Sequence, residues 1–219
     1  MDPVLNFVDG SFLPANTGLT LETINPATGA VLTTLPRSDQ TDVDNATKAA
    51  MAAAPKWAST PIDTRIHWLQ RLADALEEEA ETVAQLESMD TGKPISLARR
   101  VDATRSVANF RFFAEHGLRH EDATFVSNGA TNHVHRKPVG VVGLITPWNL
   151  PLYLLTWKVA PALLMGNAIV AKPSELTPLT ANHLAKVMHR IGFPPGVFNL
   201  VHGLGHEVGQ AIVEHADIR

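Results

Sequence analysis

Cysteine is absent from the 219 residues, and tyrosine occurs once. Without a thiol, these residues cannot form a disulfide framework, a thiolate zinc site or an iron–sulfur cluster, and they hold no cysteine nucleophile. The rest of the composition is typical of a globular protein, with 45% hydrophobic and 18% charged residues. The length is sufficient for one large or two small domains with a buried core.

The sequence also lacks an excess of positive charge. Lys and Arg number 18 against 22 Asp and Glu, a net charge of −4, which argues against a nucleic-acid-binding protein. The N-terminus has neither the basic segment nor the apolar core of a secretory signal, so we expect a cytoplasmic protein. The apolar segment 150–171 contains Lys158 and divides at Gly166-Asn167 into a helix-length and a strand-length piece. We therefore expect no membrane span there.

Turn and periodicity signals in the N-terminal half predict short strands followed by helices. Asp9-Gly10 between two apolar runs predicts a β-hairpin, and a second turn follows at residues 25–29. Apolar residues then recur at spacings of three and four, which predicts one long amphipathic helix with Thr60 as its N-cap and Gly92 as its stop. Shorter helices are predicted at about 42–54 and 96–116.

From about residue 134 the pattern changes to alternating strands and helices. The apolar run 139–145 is typical of a strand that is buried on both faces. Further strands are predicted at 168–172 and 197–201, and helices at about 151–165, 177–191 and 205–214. Because strands alternate with helices, the sequence predicts an α/β fold with a parallel, Rossmann-type sheet of which three strands are present.

A glycine-rich segment follows the third predicted strand. Gly203, Gly205 and Gly209 lie where the strand passes into a helix, a position in which glycine lets the backbone approach a pyrophosphate. The spacing departs by one residue from the usual dinucleotide fingerprint, and the segment follows the third strand rather than the first. A tight turn with close helix–strand packing is an equally good interpretation.

Lys172, Ser174 and Glu175 lie at the carboxyl end of the second predicted strand, where open α/β sheets bind ligands. An acidic side chain there can accept both hydroxyls of an adenosine ribose and repel a 2′-phosphate, which favours NAD over NADP. Alternatively, Lys172 caps the strand end and Glu175 supports the first turn of the next helix.

Asn149 and Lys158 follow the first predicted strand of this sheet. Asn149 is either the N-cap of the next helix or an amide donor to an oxygen that becomes negative during acyl chemistry. Lys158 lies within an apolar helix, so its ammonium either extends to the surface or occupies a polar pocket beside the site.

Three motifs in register resemble those of one enzyme family. They are Ile145-Thr146-Pro147-Trp148-Asn149-Leu150-Pro151, the Trp157-Lys158 pair with segments 160–163 and 166–167, and Lys172-Pro173-Ser174-Glu175-Leu176-Thr177-Pro178. With Asp9-Gly10, segment 25–29 and segment 90–94, they resemble the NAD-dependent aldehyde dehydrogenase superfamily over nearly the whole chain. Segments 105–113 and 149–158 are most similar to the 2-aminomuconic and 2-hydroxymuconic semialdehyde dehydrogenases.

The resemblance implies roles for the matching residues. Asn149 would stabilise an oxyanion, Lys158 would take part in a proton relay, and Arg105 would hold a substrate carboxylate. An equally good interpretation of Arg105 is a helix-surface pair with Asp102, three residues away. The implied cofactor-binding residues are Ile145, Thr146, Pro147 and Trp148 around the nicotinamide and its ribose, Lys172, Ser174 and Glu175 around the adenosine ribose, and Gly205 and Gly209 near the adenine and pyrophosphate.

The sequence departs from the family in its catalytic groups. The family's reaction uses a Cys thiolate that attacks the aldehyde, NAD that accepts the hydride, and a Glu-activated water that releases the acid. Both that Cys and that Glu belong to the second half of the family's sequence. We therefore expect oxidation of an aldehyde to its carboxylic acid as part of a longer enzyme, with this chain inactive alone. The alternatives are a subunit completed by a second polypeptide, and a non-catalytic chain that binds NAD or joins full-length subunits.

The resemblance also divides the chain into three parts. Residues 1–122 would form N-terminal strands and helices of the cofactor-binding domain, 123–139 an oligomerisation hairpin, and 140–219 an incomplete Rossmann-type NAD-binding unit. The expected partners are NAD, a small aldehyde and further copies of the chain. No metal site is expected, because His202 and His206 are separated by two glycines and lack a third ligand. A sheet of three parallel strands would expose an apolar edge and favour association with another chain.

Overall fold

The computed structural model describes residues 1–119 and 122–219. Residues 120 and 121, within the predicted N-terminal part, lie outside the described residues. The chain begins with the predicted hairpin of β1 (Asn6–Val8) and β2 (Ser11–Leu13), in which Asp9 and Gly10 both have positive φ, 50° and 77°. Two positive φ angles in a two-residue loop match the twist of paired strands, so the hairpin prediction is confirmed. A second antiparallel pair follows, β3 (Thr20–Ile24) and β4 (Val31–Pro36).

Helix α1 (Gln40–Ser59) begins at a capping box, in which the Asp39 carboxylate accepts from the backbone of Thr41 and Asp42. The acceptor satisfies backbone amides that have no partner within the first turn of the helix. The helix is longer at both ends than the predicted 42–54.

The single long helix predicted up to Gly92 is wrong, because the structure contains α2 (Ile62–Glu78) and α3 (Ala80–Thr91). Glu79 between them has φ −107° and ψ 19°, and its carboxylate contacts His183 at 2.8 Å and Arg190. These contacts to a later helix hold Glu79 away from helical geometry. The predicted N-cap is also displaced by one residue: Pro61 occupies it, and the Thr60 hydroxyl donates to the Lys56 carbonyl.

Gly92 ends α3 with φ 75°, the left-handed C-terminal conformation that its sequence position predicts. The next helical segment runs through the short α4 (Ile95–Leu97), a π-helical turn at Ala98–Ala103, and α5 (Thr104–Gly117). The predicted helix 96–116 is therefore present, with one π-helical turn inserted.

The central sheet contains the three predicted parallel strands β7 (Val141–Ile145), β8 (Ala168–Lys172) and β9 (Phe198–Leu200). It also contains the N-terminal hairpin, because β1 pairs antiparallel to β9 and gives the order β2-β1-β9-β8-β7. The edge beside β9, which three strands alone would leave open, is therefore covered. At the other edge, the Arg219 backbone exchanges hydrogen bonds with Val141 and Gly143 of β7.

Helices pack against both faces of this sheet. The connecting helices are α6 (Pro151–Leu164) and α7 (Leu179–Arg190), and a π-helical turn at Gly205–Gly209 leads into α8 (Gln210–Glu214). On β8, Ile169 and Ala171 pack with α2, α5, α6 and α7, whereas Ala168 and Val170 pack with α1 and α8. This alternation explains the continuous apolar runs of the strands, since both faces are buried. It confirms the Rossmann-type α/β fold.

The hairpin of β5 (Ala123–Ser127) and β6 (Ala130–Val134) extends from the body of the fold. Asn128 and Gly129 form its turn with φ of 51° and 78°, and nine of its ten strand residues are exposed. Among residues 1–119 and 122–219, no helix is long and apolar enough to cross a membrane.

Candidate cofactor-binding site

The candidate site is built where β7 and β8 end. Their parallel register places Ile145 beside Lys172, and the next backbone amide, that of Thr146, donates to the Lys172 carbonyl at 3.1 Å. The Thr146 side chain is buried, while Ile145, Pro147 and Trp148 are exposed at the carboxyl edge. The predicted nicotinamide segment therefore adjoins the predicted ribose segment, at the edge where open α/β sheets bind ligands.

Lys172 and Glu175 contact each other directly. Lys172 is 2% exposed, and its Nζ donates to Glu175 Oε2 and to the Pro173 carbonyl, both at 2.9 Å. Partial burial works to raise the pKa of Glu175, but hydrogen bonds from Lys172 and from the backbone amides of Glu175 and Gly205 outweigh it, so that the pKa is lowered. Glu175 is therefore an ionised, half-buried acceptor held between β8 and the glycine-rich segment.

The glycines of this segment have different surroundings. Gly203 has φ 150°, and a Cβ there would lie 2.5 Å from Val208 Cγ2, so packing alone requires glycine. A Cβ on Gly205 would meet nothing within 4 Å. A Cβ on Gly209 would lie 3.7 Å from Lys172 Cδ and 4.0 Å from Ile145 Cδ1. Gly209, Lys172 and Ile145 are thus neighbours, and the space beside Gly205 is open to a ligand.

Asn149 does not cap α6. The N-cap is Leu150, which has no side-chain cap hydrogen bond, and the exposed Asn149 carboxamide has no partner among residues 1–119 and 122–219. The N-cap interpretation is therefore wrong, and the carboxamide is available to a ligand. The exposed Lys158 donates from Nζ to the Ile145 carbonyl at 2.6 Å, so it contacts the end of β7 from within α6.

Arg105 does not pair with Asp102, contrary to one of its two interpretations. Asp102 is fully buried and accepts from Lys93 Nζ at 2.8 Å. The exposed Arg105 guanidinium instead lies over the Tyr153 ring at 5.1 Å, and its Nη1 is 3.3 Å from the Tyr153 hydroxyl. Tyr153 belongs to the first turn of α6, two residues after Pro151, so Arg105 lies on the same side of the fold as the Asn149 turn.

Two further groups lie beside the site, and the sequence predicts this position for neither of them. His202 is fully buried after β9, and burial lowers its pKa to about 3, with an additional contribution from Lys172. Lys93 contacts the Asn149 carbonyl at 3.4 Å. Lys93 belongs to segment 90–94, which contributes to the family resemblance, so the sequence contained a signal that could have pointed to it. The local sequence around His202 contains no sign that this residue is buried. His202 is buried whereas His206 is exposed, and the described part of the chain contains no cluster of three metal-ligating side chains.

The family model described as the aldehyde dehydrogenase family matches residues 12–219. The chain belongs to the aldehyde dehydrogenase family. It is 47% identical over 215 residues to 2-aminomuconic semialdehyde dehydrogenase of Homo sapiens, covering 97% of this chain and 44% of the relative. It is 42% identical to 2-hydroxymuconic semialdehyde dehydrogenase of Pseudomonas sp. (strain CF600), covering all of this chain and 46% of the relative.

Solved structures of the same family share the fold of this aldehyde dehydrogenase chain. An NAD⁺ complex of aldehyde dehydrogenase from Bacillus cereus superimposes with a TM-score of 0.94 at 42% identity, covering 99% of this chain and 45% of that one. The expected resemblance to muconic semialdehyde dehydrogenases and the expected fold are therefore confirmed. The chain spans less than half the length of these relatives.

Proposed function

We propose that this chain binds NAD at the carboxyl ends of β7 and β8. The observation that carries the proposal is the Glu175 carboxylate, which is ionised and oriented by Lys172 at 2.9 Å and by the Gly205 backbone amide. A fixed carboxylate at this position accepts two ribose hydroxyls and repels a 2′-phosphate. The open space at Gly205 admits a pyrophosphate to the backbone. A solved relative that is described as an NAD⁺ complex supports this assignment.

We further propose that the bound cofactor serves the oxidation of a muconic-type semialdehyde to its acid, the substrate class named in the relatives. When bound, NAD supplies the hydride acceptor. The free Asn149 carboxamide would donate a hydrogen bond to the aldehyde oxygen as it becomes negative, and Arg105 would bind the substrate carboxylate. The proton of Lys158 is held at the Ile145 carbonyl, beside the proposed nicotinamide segment.

The covalent step of such an oxidation needs a nucleophile that these residues do not contain, since the 219 residues include no cysteine. We propose that the thiol comes from outside these residues, either from a longer form of the protein or from a second polypeptide. The residues described here would then supply the cofactor site, the oxyanion donor and the carboxylate-binding arginine.

The cofactor proposal is tested by titrating the chain with NAD and NADP in a calorimeter. The Glu175→Gln variant should bind NAD about 10- to 100-fold more weakly, because a charged hydrogen bond contributes about 1.5–3 kcal/mol. The same change should narrow the preference for NAD over NADP, since the negative charge that repels the 2′-phosphate is lost. Glu78→Gln, at an exposed position of α2, is the matched control and should leave both affinities unchanged.

Equal NAD affinity in the native and Glu175→Gln chains would refute the ribose assignment. A native chain that prefers NADP would refute it as well.

A further inference from the structure

Two acidic side chains are completely buried beneath the Asn149 turn. Glu87 belongs to α3 and Asp102 to the π-helical turn, and both carboxylates have 0% exposure. Lys93, in the loop that follows α3, places its Nζ 2.8 Å from Asp102 Oδ1 and 3.7 Å from Glu87 Oε1. The three residues form a cluster, which we call the buried anchor.

The charges of the buried anchor balance when Glu87 carries a proton. Burial raises the pKa of Glu87 to about 8, and the nearby Asp102 contributes in the same direction. Thr180 and Lys93 work to lower the pKa of Glu87 but do not cancel the effect of burial. Neither the Glu87 oxygens nor Asp102 Oδ2 has a well-formed hydrogen bond within the described residues. A proton on Glu87 supplies a donor to this group of oxygens, and ionised Asp102 is then left to pair with the Lys93 ammonium.

The Lys93 ammonium has a third contact, the backbone carbonyl of Asn149 at 3.4 Å. Asn149 lies in the link between β7 and α6, where Leu150 has no side-chain cap to fix the start of the helix. On the other side of this link, Lys158 contacts the Ile145 carbonyl. Two lysines therefore hold the backbone at both sides of segment 146–148.

Buried ionic groups are costly to a fold, and well-packed apolar residues would often stabilise it equally well. Asp102 of the anchor lies in a π-helical turn, and such turns occur frequently at functional sites. The Lys93 ammonium thus contacts carboxylates from α3 and from the π-helical turn. Its remaining contact is the backbone carbonyl of Asn149, the residue whose side-chain carboxamide is free.

We propose that Glu87, Asp102 and Lys93 together fix the Asn149 turn, with Lys93 as a positioning residue that holds the Asn149 carboxamide in place. The inference rests on the proposed function, in which that carboxamide is the oxyanion donor. Lys93 does not touch the substrate in this account. It acts through the Asn149 backbone.

The test uses nuclear magnetic resonance with ¹³C at asparagine carbonyls and ¹⁵N at leucine amides. The sequence contains two Asn-Leu pairs, Asn149-Leu150 and Asn199-Leu200, so the spectrum has two signals. The second pair lies in β9 and serves as an internal reference for folding. The carbonyl resonance of Asn149 reports the Lys93 contact. In a second sample with ¹⁵N at the asparagine side-chain amides, ¹⁵N relaxation of the Asn149 amide reports whether the carboxamide is held, and the loss of that signal in Asn149→Ala assigns it.

The decisive variant is the double change Lys93→Met with Asp102→Asn, which removes a cation and an anion together and leaves no unpaired buried charge. We expect the Asn149 carbonyl signal to move and its side-chain amide to become more mobile, while the Asn199 signal stays in place. Lys93→Arg retains the cation and should keep both properties near those of the native chain. Lys48→Met, at an exposed position of α1, is the matched control and should change neither.

An Asn149 signal that stays in place in the folded double variant overturns the proposal, as does a side-chain amide whose mobility is unchanged. If the double variant loses the Asn199 reference signal, Lys93→Gln with Asp102→Asn carries the same test with the same expected result, because it also leaves no unpaired buried charge. A native chain that fails to bind NAD would refute the proposed function, and the Asn149 signals would still decide the role of the anchor.

Discussion

His202 lies fully buried beside the cofactor edge, and neither of its ring nitrogens has a hydrogen-bond partner within residues 1–119 and 122–219. Its backbone is well satisfied, since the amide donates to Asn6 Oδ1 and the carbonyl accepts from the Ser38 amide. Burial away from water and the nearby Lys172 cation both disfavour the imidazolium, which is why the pKa falls to about 3. His202 therefore stays neutral in the folded chain above about pH 3.

This burial predicts a loss of stability in acid. The unfolded chain takes up a proton on His202 below about pH 6.5, whereas the folded chain does so only near pH 3, so the free energy of unfolding falls as the pH is lowered between these values. The decrease due to this residue is about 1.4 kcal/mol for each pH unit. His202→Gln should remove that part of the decrease, which urea unfolding at a series of pH values measures. Substitution of the exposed His67 by Gln should leave the pH dependence unchanged. Parallel curves for the native and His202→Gln chains would contradict the prediction.

At the scale of single residues, the sequence predicts the placement of side chains whose neighbours in space are also close to them in the chain. The sequence groups Lys172 and Glu175, three residues apart, at one strand end, and in the structure these two side chains contact each other. The partner of Arg105 could not be predicted in the same way. Spacing of three suggested Asp102, but the π-helical turn carries Asp102 into the interior, where Lys93 binds it.

At the scale of elements, the glycine-rich segment contains one glycine that packing requires and another whose Cβ position is unoccupied. Gly203 is enclosed by Val208 and by the Ser38 backbone, whereas the Cβ direction of Gly205 is empty. The sequence placed all three glycines between a strand and a helix. It could not distinguish these two positions, because their difference depends in part on Ser38, which lies between β4 and α1 and is distant in the chain.

Two alanine substitutions should separate stability from binding in this segment. Gly203→Ala places a Cβ 2.5 Å from Val208 Cγ2 at a φ of 150°, and we expect it to destabilise the fold by about 1–3 kcal/mol. Gly205→Ala should leave Tm unchanged and weaken NAD binding, because the new methyl group occupies the space proposed for the pyrophosphate. Thermal unfolding and calorimetric titration of both variants check these outcomes. Native NAD affinity in Gly205→Ala would show that the cofactor does not approach this backbone.

Helices and strands begin and end near the residues that local sequence patterns predict, except where a contact with a residue distant in the chain changes the backbone. Strand β8 begins and ends as predicted, because a buried apolar run ends at a lysine and a proline. The division between α2 and α3 was not predictable, since the residues that hold Glu79 belong to α7, about a hundred positions later.

At the scale of the whole molecule, the sheet joins the two ends of the described chain. β1 pairs with β9 through Phe7 and Leu200, and this pairing closes an edge that three parallel strands would leave open. No local pattern predicts a contact across nearly two hundred residues. The α/β class was predictable because it depends on alternation of strands and helices, whereas the position of the N-terminal hairpin depends on the completed sheet.

The exposed β5–β6 hairpin predicts association between copies of the chain. Phe125 and Val126 are 52% and 73% exposed on a two-stranded ribbon, and such apolar surface is typical of interaction sites. Replacing both residues with lysine should shift the chain from an oligomer to a smaller species in light scattering after size-exclusion chromatography. Asn45→Lys with Thr82→Lys, at exposed positions of α1 and α3, is the control with the same added charge and should preserve the oligomer. An unchanged mass in the double variant would mean that the hairpin does not join the subunits.

The central claim is that the ends of β7 and β8, together with the glycine-rich segment, form an NAD site. A crystal structure of the chain grown with NAD tests it most directly. We expect ribose hydroxyls within hydrogen-bond distance of Glu175, about 2.5–3.2 Å, and a pyrophosphate against the Gly205 backbone. A dinucleotide bound away from Lys172 and Glu175, or a cofactor edge that stays empty at saturating NAD, would contradict it.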